Sequence, residues 1–210
     1  MKRKVQTEKK KLLFGTKSEK HFIHYVYGKC KKHGIKVILK DVKYLKVDGI
    51  RCSGYFDDQN KILAVAMKSK NSKEIFVHEF GHVTQFIDNC LPWKNLGQSL
   101  EKVTDWLHGK RVHNINRHID IVKLMELDNE KRSVELIKNF NLDIDVEDYI
   151  KRANSYIYFY NRLKKTRKWS HPKNAPYNNK SVFKVMPSYF KKSYKTTPKN
   201  VEKIYEAENI

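Results

Sequence analysis

Cysteine is scarce in this 210-residue chain. Cys30, Cys52 and Cys90 are odd in number and form no C-x-x-C pair. That excludes a disulfide framework and a cysteine-built zinc knot, and it points to a reducing, cytoplasmic setting. Proline is also sparse: Pro92 stands alone before the last 40 residues, which carry Pro172, Pro176, Pro187 and Pro198. Acidic residues are too few to balance the basic ones, 23 against 44, for a net charge of +21. Within the basic set arginine is the minor partner, at eight positions, which leaves 36 lysines. Arginine is the preferred reader of phosphates and bases, so this balance predicts non-specific association with polyanions or nucleic acid rather than sequence recognition. Long hydrophobic runs are missing as well. The apolar stretch near the N-terminus is only Leu12 to Phe14, too short for a secretory segment, and no run nears the roughly 18 residues that span a bilayer. A soluble intracellular protein with no membrane span is expected.

What remains is enough for a packed interior, since 40% of the residues are hydrophobic and 12% aromatic. The chain reads as a basic flexible arm (1–17), one domain (18–170) and an irregular basic C-terminal extension packed on it (171–210). A helix starts at Ser18 and stops at Gly34. Strand signals follow at 35–39, 42–47 and 50–56, and the turn Asp57-Asp58-Gln59-Asn60 leads into KILAVAM, residues 61–67. Ile62 to Met67 are apolar on both strand faces, as in an interior strand. A helix follows, capped at Asn71 or Ser72 with Glu74 in the capping-box position. Beyond a loop at 89–97, helices are expected over 100–107, 119–140 and 146–168. The class is therefore α+β: a small, mainly antiparallel sheet packed on one helix, then a mostly helical C-terminal half.

The residues with the clearest chemistry lie in EIFVHEFGHVTQF, residues 74–86. His78 and His82 are four apart, which on a helix places both imidazoles on one face, able to reach one Zn²⁺ at about 2.0 to 2.1 Å. Glu79, one position round the helix, can reach a water on that metal. With nine His in the chain, H-E-x-x-H is expected by chance about 0.02 times, so the match is informative. Ile75, Phe76, Val77, Phe80, Val83, Phe86 and Ile87 make this helix apolar nearly all round. Two histidines and a glutamate buried together without a metal would be costly. Gly81 leaves room for another helix to come close.

A catalytic zinc takes three protein ligands and keeps one position open. The extended H-E-x-x-H-x-x-G-x-x-H pattern fails, with Gln85 in place of the glycine and Asp88 in place of the third histidine. Downstream, MELDNEKRSVELIKNF offers Glu126, Glu130 and Glu135. Glu130 is the expected third ligand, because Ser133 three residues on lets two helices approach. Glu126, on the same face, either orients a ligand imidazole or is itself the ligand. His108, 26 residues after His82 in a His-Gly pair, is the other alternative, and Glu101 a more distant one. Tyr156 and Tyr160, at i and i+4, read first as an aromatic core stripe with hydroxyls reaching the surface and only second as hydrogen-bond donors to a transition-state oxyanion.

The order of CSGYFD (52–57), ILAVA (62–66), HEFGHVTQF (78–86), ELDNEKRSVELI (126–137) and ANSYIYFYNRLKKTRKW (153–169) resembles small gluzincin-type zinc metallopeptidases, including phage-encoded ones. It is similar, more remotely, to the ImmA/IrrE type, in which an E-x-x-A helix supplies the third ligand. Here Glu130 to Ser133 stands in for it. The resemblance implies a zincin-like fold, a zinc cofactor, and a peptidase in which Glu79 assists attack of a zinc-bound water on a peptide or protein substrate. It also implies a virus-encoded protein acting in a host cell. Two alternatives are a SprT-like, DNA-associated protease with His108 as third ligand, which the His-Gly order resembles, and a basic nucleic-acid-associated zinc protein without catalysis.

Overall fold

A computed structural model describes residues 15–47 and 49–210; most of the expected N-terminal arm lies outside the described residues. Helix α1 (Lys17–Lys32) begins one residue earlier than expected, because Thr16 and Glu19 form a capping box. The Glu19 N–H donates to Thr16 Oγ1 at 3.1 Å and the Thr16 N–H to Glu19 Oε2 at 3.0 Å. Its apolar face, Phe22, Val26 and Cys30, is fully buried. Gly34, at φ +69°, turns the chain into the sheet, a conformation glycine adopts without strain.

Five short strands follow: β1 (Lys36–Lys40), β2 (Leu45–Val47), β3 (Ile50–Cys52), β4 (Gly54–Asp57) and β5 (Ile62–Ala66). β2 and β3 form an antiparallel hairpin, while the main sheet has the order β1-β5-β4. β5 is the interior strand. Leu63 and Val65 face the main core, and Ala64 and Ala66 pack with Leu45 on the other side. The expected hairpin is β4–β5, in register Phe56 opposite Leu63, with Asp57 Oδ1 accepting from the N–H groups of Gln59 and Asn60. One expectation needs correction: the main sheet is mixed, since β1 runs parallel to β5. The segment from Lys40 to Ile62 is long enough to serve as the crossover that a parallel pair requires.

Helix α2 (Ser72–Asp88) carries the H-E-x-x-H residues and packs directly on β4 and β5. Asn71 precedes it, but its side chain makes no capping bond; Glu74 instead accepts from Arg152 at 2.8 Å. Phe22 meets Phe76 and Phe80 edge to face at 5.6 and 5.8 Å, locking α1 onto α2. Burying each such ring contributes about 2 to 3 kcal/mol. The expected loop after α2 folds into a short helix, α3 (Leu91–Leu96), with Pro92 in its first turn. Then come α4 (Ser99–Leu107), the long α5 (Ile115–Asn139) and α6 (Val146–Thr166), which is capped by Asp145.

The C-terminal 40 residues are less irregular than their prolines suggested. They hold two single 3₁₀ turns, α7 (Lys180–Val185) capped by Asn179, and α8 (Lys199–Ala207). Val182, Met186, Tyr194, Val201 and Tyr205 enter a second core with α4, α6 and the first half of α5. Val201 and Tyr205, four apart, give α8 its buried stripe. Among the described residues no helix is long and apolar enough to cross a membrane.

Candidate metal centre

α2 and α5 lie against each other, and their close approach depends on Gly81. A Cβ there would fall 2.0 Å from Asn129 Oδ1 and 3.1 Å from Ser133 Oγ, so any larger residue would displace the side chains that α5 seats against α2. The role expected for Gly81 is therefore met, with Asn129 and Ser133 as the opposing surface.

Between the helices His78 and His82 face each other, ring centroids 4.8 Å apart and planes near perpendicular. The carboxylate that joins them is Glu126. Its Oε2 is 3.8 Å from His78 Nε2 and 3.6 Å from His82 Nε2, and the three donor atoms lie within 4.8 Å of one another. Three ligands at tetrahedral angles and bond lengths near 2.1 Å would stand about 3.4 Å apart, close to this spacing. Glu126 Oε2 is also buried with no hydrogen-bond partner, as are Asn129 Oδ1 and Ser133 Oγ beside it. An acceptor in that position is costly unless a cation satisfies it. His78, His82 and Glu126 can thus hold a metal ion, and the donor set suits one.

The carboxylate that converges with the two imidazoles is thus Glu126, where Glu130 was expected. Glu130 does not join the three converging atoms. Its Oε1 sits 3.2 Å from Nδ1 of His78, and its Oε2 accepts from the Tyr149 hydroxyl at 2.7 Å. A carboxylate on Nδ1 fixes the ring and frees Nε2 for a metal. Gln85 does the same for the other imidazole: its Oε1 lies 2.9 Å from His82 Nδ1, while its Nε2 donates to the Met125 carbonyl and to Asp128 Oδ2. Arg132 in turn donates to Asp128 at 2.8 Å. Asn129 Nδ2 lies against the same two Nε2 atoms, 3.1 Å from that of His82 and 3.4 Å from that of His78, and donates to the His78 carbonyl at 3.1 Å.

Electrostatics follow from crowding. Burial disfavours a charged His78, but Glu130, Glu79 and Glu126 outweigh it and raise its pKa. His82 is driven down by burial and by the charge on His78. Burial raises Glu126 to about 7, with help from Glu130 and Glu79 and against the opposing pull of His78. Glu79 is raised as well, chiefly by burial, with His78 and the Phe56 N–H acting against it. It packs under β4, where a Cβ on Gly54 would come within 3.0 Å of its Cγ.

The other expected residues fall as follows. The Tyr156 and Tyr160 hydroxyls are hydrogen-bonded to each other at 3.0 Å, and both phenols are raised first by burial and then by the Glu126 carboxylate. His108 is exposed at the end of α4, and Glu101 and Glu135 are exposed too; none joins the cluster. Sequence reasoning did not assign Asn129, Gln85 or Tyr149. Gln85, three residues after His82 on an apolar helix, carried a usable signal, because a buried amide needs partners. Tyr149 carried none. No family model, curated protein or solved structure matches the chain.

Proposed function

We propose that the protein is a zinc-dependent metallopeptidase with a zincin-like catalytic half. The observation that carries this reading is the unpartnered Glu126 Oε2, aimed at both imidazole Nε2 atoms with Glu79 one residue from His78. Two imidazoles and one carboxylate are a usual ligand set of catalytic zinc. Zn²⁺, when bound, supplies Lewis acidity that polarises a scissile carbonyl and makes water a better nucleophile near neutral pH.

The remaining steps belong to the chain's own side chains. His78, His82 and Glu126 hold the ion, and Glu130 and Gln85 keep each Nε2 turned toward it. Glu79, its pKa raised by burial, takes a proton from the attacking water and returns it to the leaving amine. Tyr156, backed by Tyr160, supplies a neutral hydroxyl to the developing oxyanion. β4 is an outer strand of its sheet and packs against Glu79, so an extended peptide can add along its free edge and bring its carbonyl to the site.

The test is Glu79→Gln. Wild type should bind one zinc, melt at higher temperature with zinc than with chelator, and hydrolyse a casein-like substrate. The variant should keep the zinc and the melting shift but lose hydrolysis by about 10³-fold. Hydrolysis at the wild-type rate would overturn the mechanism.

A further inference from the structure

On the opposite side of α5 from the metal centre lies a concavity of about 620 Å³ between α4 and the start of that helix. Lys102, Arg111, Val112, His113, Asn114, Arg117, His118 and Ile121 line it, and no carboxylate is among them. This is unusual even for so basic a chain, because the other described arginines are all engaged. Arg51 stacks on Tyr44, Arg132 and Arg152 pair with acids, Arg162 meets Glu202, and Arg167 binds the carbonyls of Trp106 and Lys110. The side chains of Arg111 and Arg117 alone among those of the described arginines have no hydrogen-bond, ion-pair or ring partner, and both line this one hollow.

His118 bonds to Ser99 at 3.1 Å, and its pKa is lowered by burial and then by Lys102, Arg117 and His113. Asn114 at the N-cap of α5 makes no side-chain capping bond, so the positive end of a 25-residue helix adds to the field of Lys102 and Arg117. Val112 and Ile121 give the hollow an apolar floor. Two free guanidinium forks, a lysine and a helix N-terminus around a space far larger than one phosphate ion fit a run of phosphates.

We propose that this concavity binds the phosphate backbone of a nucleic-acid strand, with Arg111 and Arg117 as its phosphate-holding residues and Lys102 as a supporting charge. A polymer is favoured over a lone phosphate by the net charge of +21, which extends the attraction beyond the hollow. Arg117 precedes Glu126 by nine residues, roughly 13 Å along the helix and on its opposite face. The site is therefore separate from the metal centre, and the inference does not rest on the peptidase reading.

The experiment is fluorescence anisotropy of a labelled 20-nucleotide single strand and a 20-base-pair duplex between 50 and 200 mM KCl. Wild type is compared with Arg111→Ala/Arg117→Ala, and with Lys31→Ala/Lys36→Ala in another concavity, a control that removes the same charge. The arginine pair should weaken binding at least tenfold and reduce the slope of log affinity against log salt by about 2. The lysine pair should change affinity less than threefold. Arg111→Gln/Arg117→Gln should behave as the alanine pair does, and bound zinc should be unchanged in all variants. Equal losses from both pairs would overturn the site in favour of diffuse charge. Competition by polyglutamate as strong as by unlabelled DNA would overturn nucleic acid as the ligand in favour of an acidic protein.

Discussion

Two buried polar clusters sit a few turns apart in the same helical half, and they differ in one respect. Where α6 meets the C-terminal segment, the buried amides and the lysine are all answered. Asn154 donates to the carbonyls of Pro187 and Tyr189 and accepts from the Tyr194 hydroxyl. Asn161 donates to the Tyr194 carbonyl and Thr197, and Lys123 reaches Asn161 and Asp120. Between α2 and α5, by contrast, Glu126 Oε2, Asn129 Oδ1 and Ser133 Oγ are left without partners. The first cluster is a clamp that holds residues 187–197 onto α6. The second bears a polar excess that a bound cation can satisfy. A complete network stabilises, whereas an incomplete one is tolerated where function needs it.

That contrast can be broken most sharply at Glu126. Glu126→Ala should lower zinc affinity by more than about 100-fold, beyond the range of supporting residues, while the chelator-treated protein melts no lower than wild type. Metal analysis and thermal melts decide it; loss of zinc from Glu130→Ala with retention in Glu126→Ala would reverse the assignment. Asn154→Ala should do the opposite: a cost of about 3 kcal/mol in urea unfolding, from two carbonyls and a buried hydroxyl left unanswered, with zinc stoichiometry intact. Glu130→Gln falls between the clusters, leaving the three converging atoms in place but weakening zinc binding by about 10- to 100-fold in a competition titration.

The smallest effect is expected at Glu19, a buried carboxylate that is fully partnered. Burial raises its pKa, but Lys73 and the Thr16 N–H outweigh that and hold it below the ordinary value. Its contribution is therefore present above the ordinary carboxylate range and lost as pH falls through the lowered pKa. Glu19→Gln should flatten the acid side of the stability–pH curve by a fraction of the whole, measured by urea melts between pH 3 and 6.

Much of the fold could be read locally. The apolar faces of Ile62 to Met67 announced an interior strand, Asp57 to Asn60 a hairpin turn, and residues 146–168 a helix that closes two residues earlier, at Thr166. The misses have both local and long-range causes. Four prolines suggested an irregular tail, yet Asn179 starts one helix and the Val201/Tyr205 spacing buries another. Glu74 stood in a capping position, but Arg152, 78 residues away, took its carboxylate.

The spacing of His78, Glu79 and His82 was fixed by the sequence alone, because positions four apart on a helix must share a face. So was the freedom at residue 81 for another helix to approach. Which carboxylate meets the two imidazoles was not. Glu126 and Glu130 occupy the same face of α5, one turn apart, so local periodicity treats them alike. The choice rests on how far α5 slides along α2, and that is set by Asn129 and Ser133 seating against Gly81. Only the packed helices contain that register.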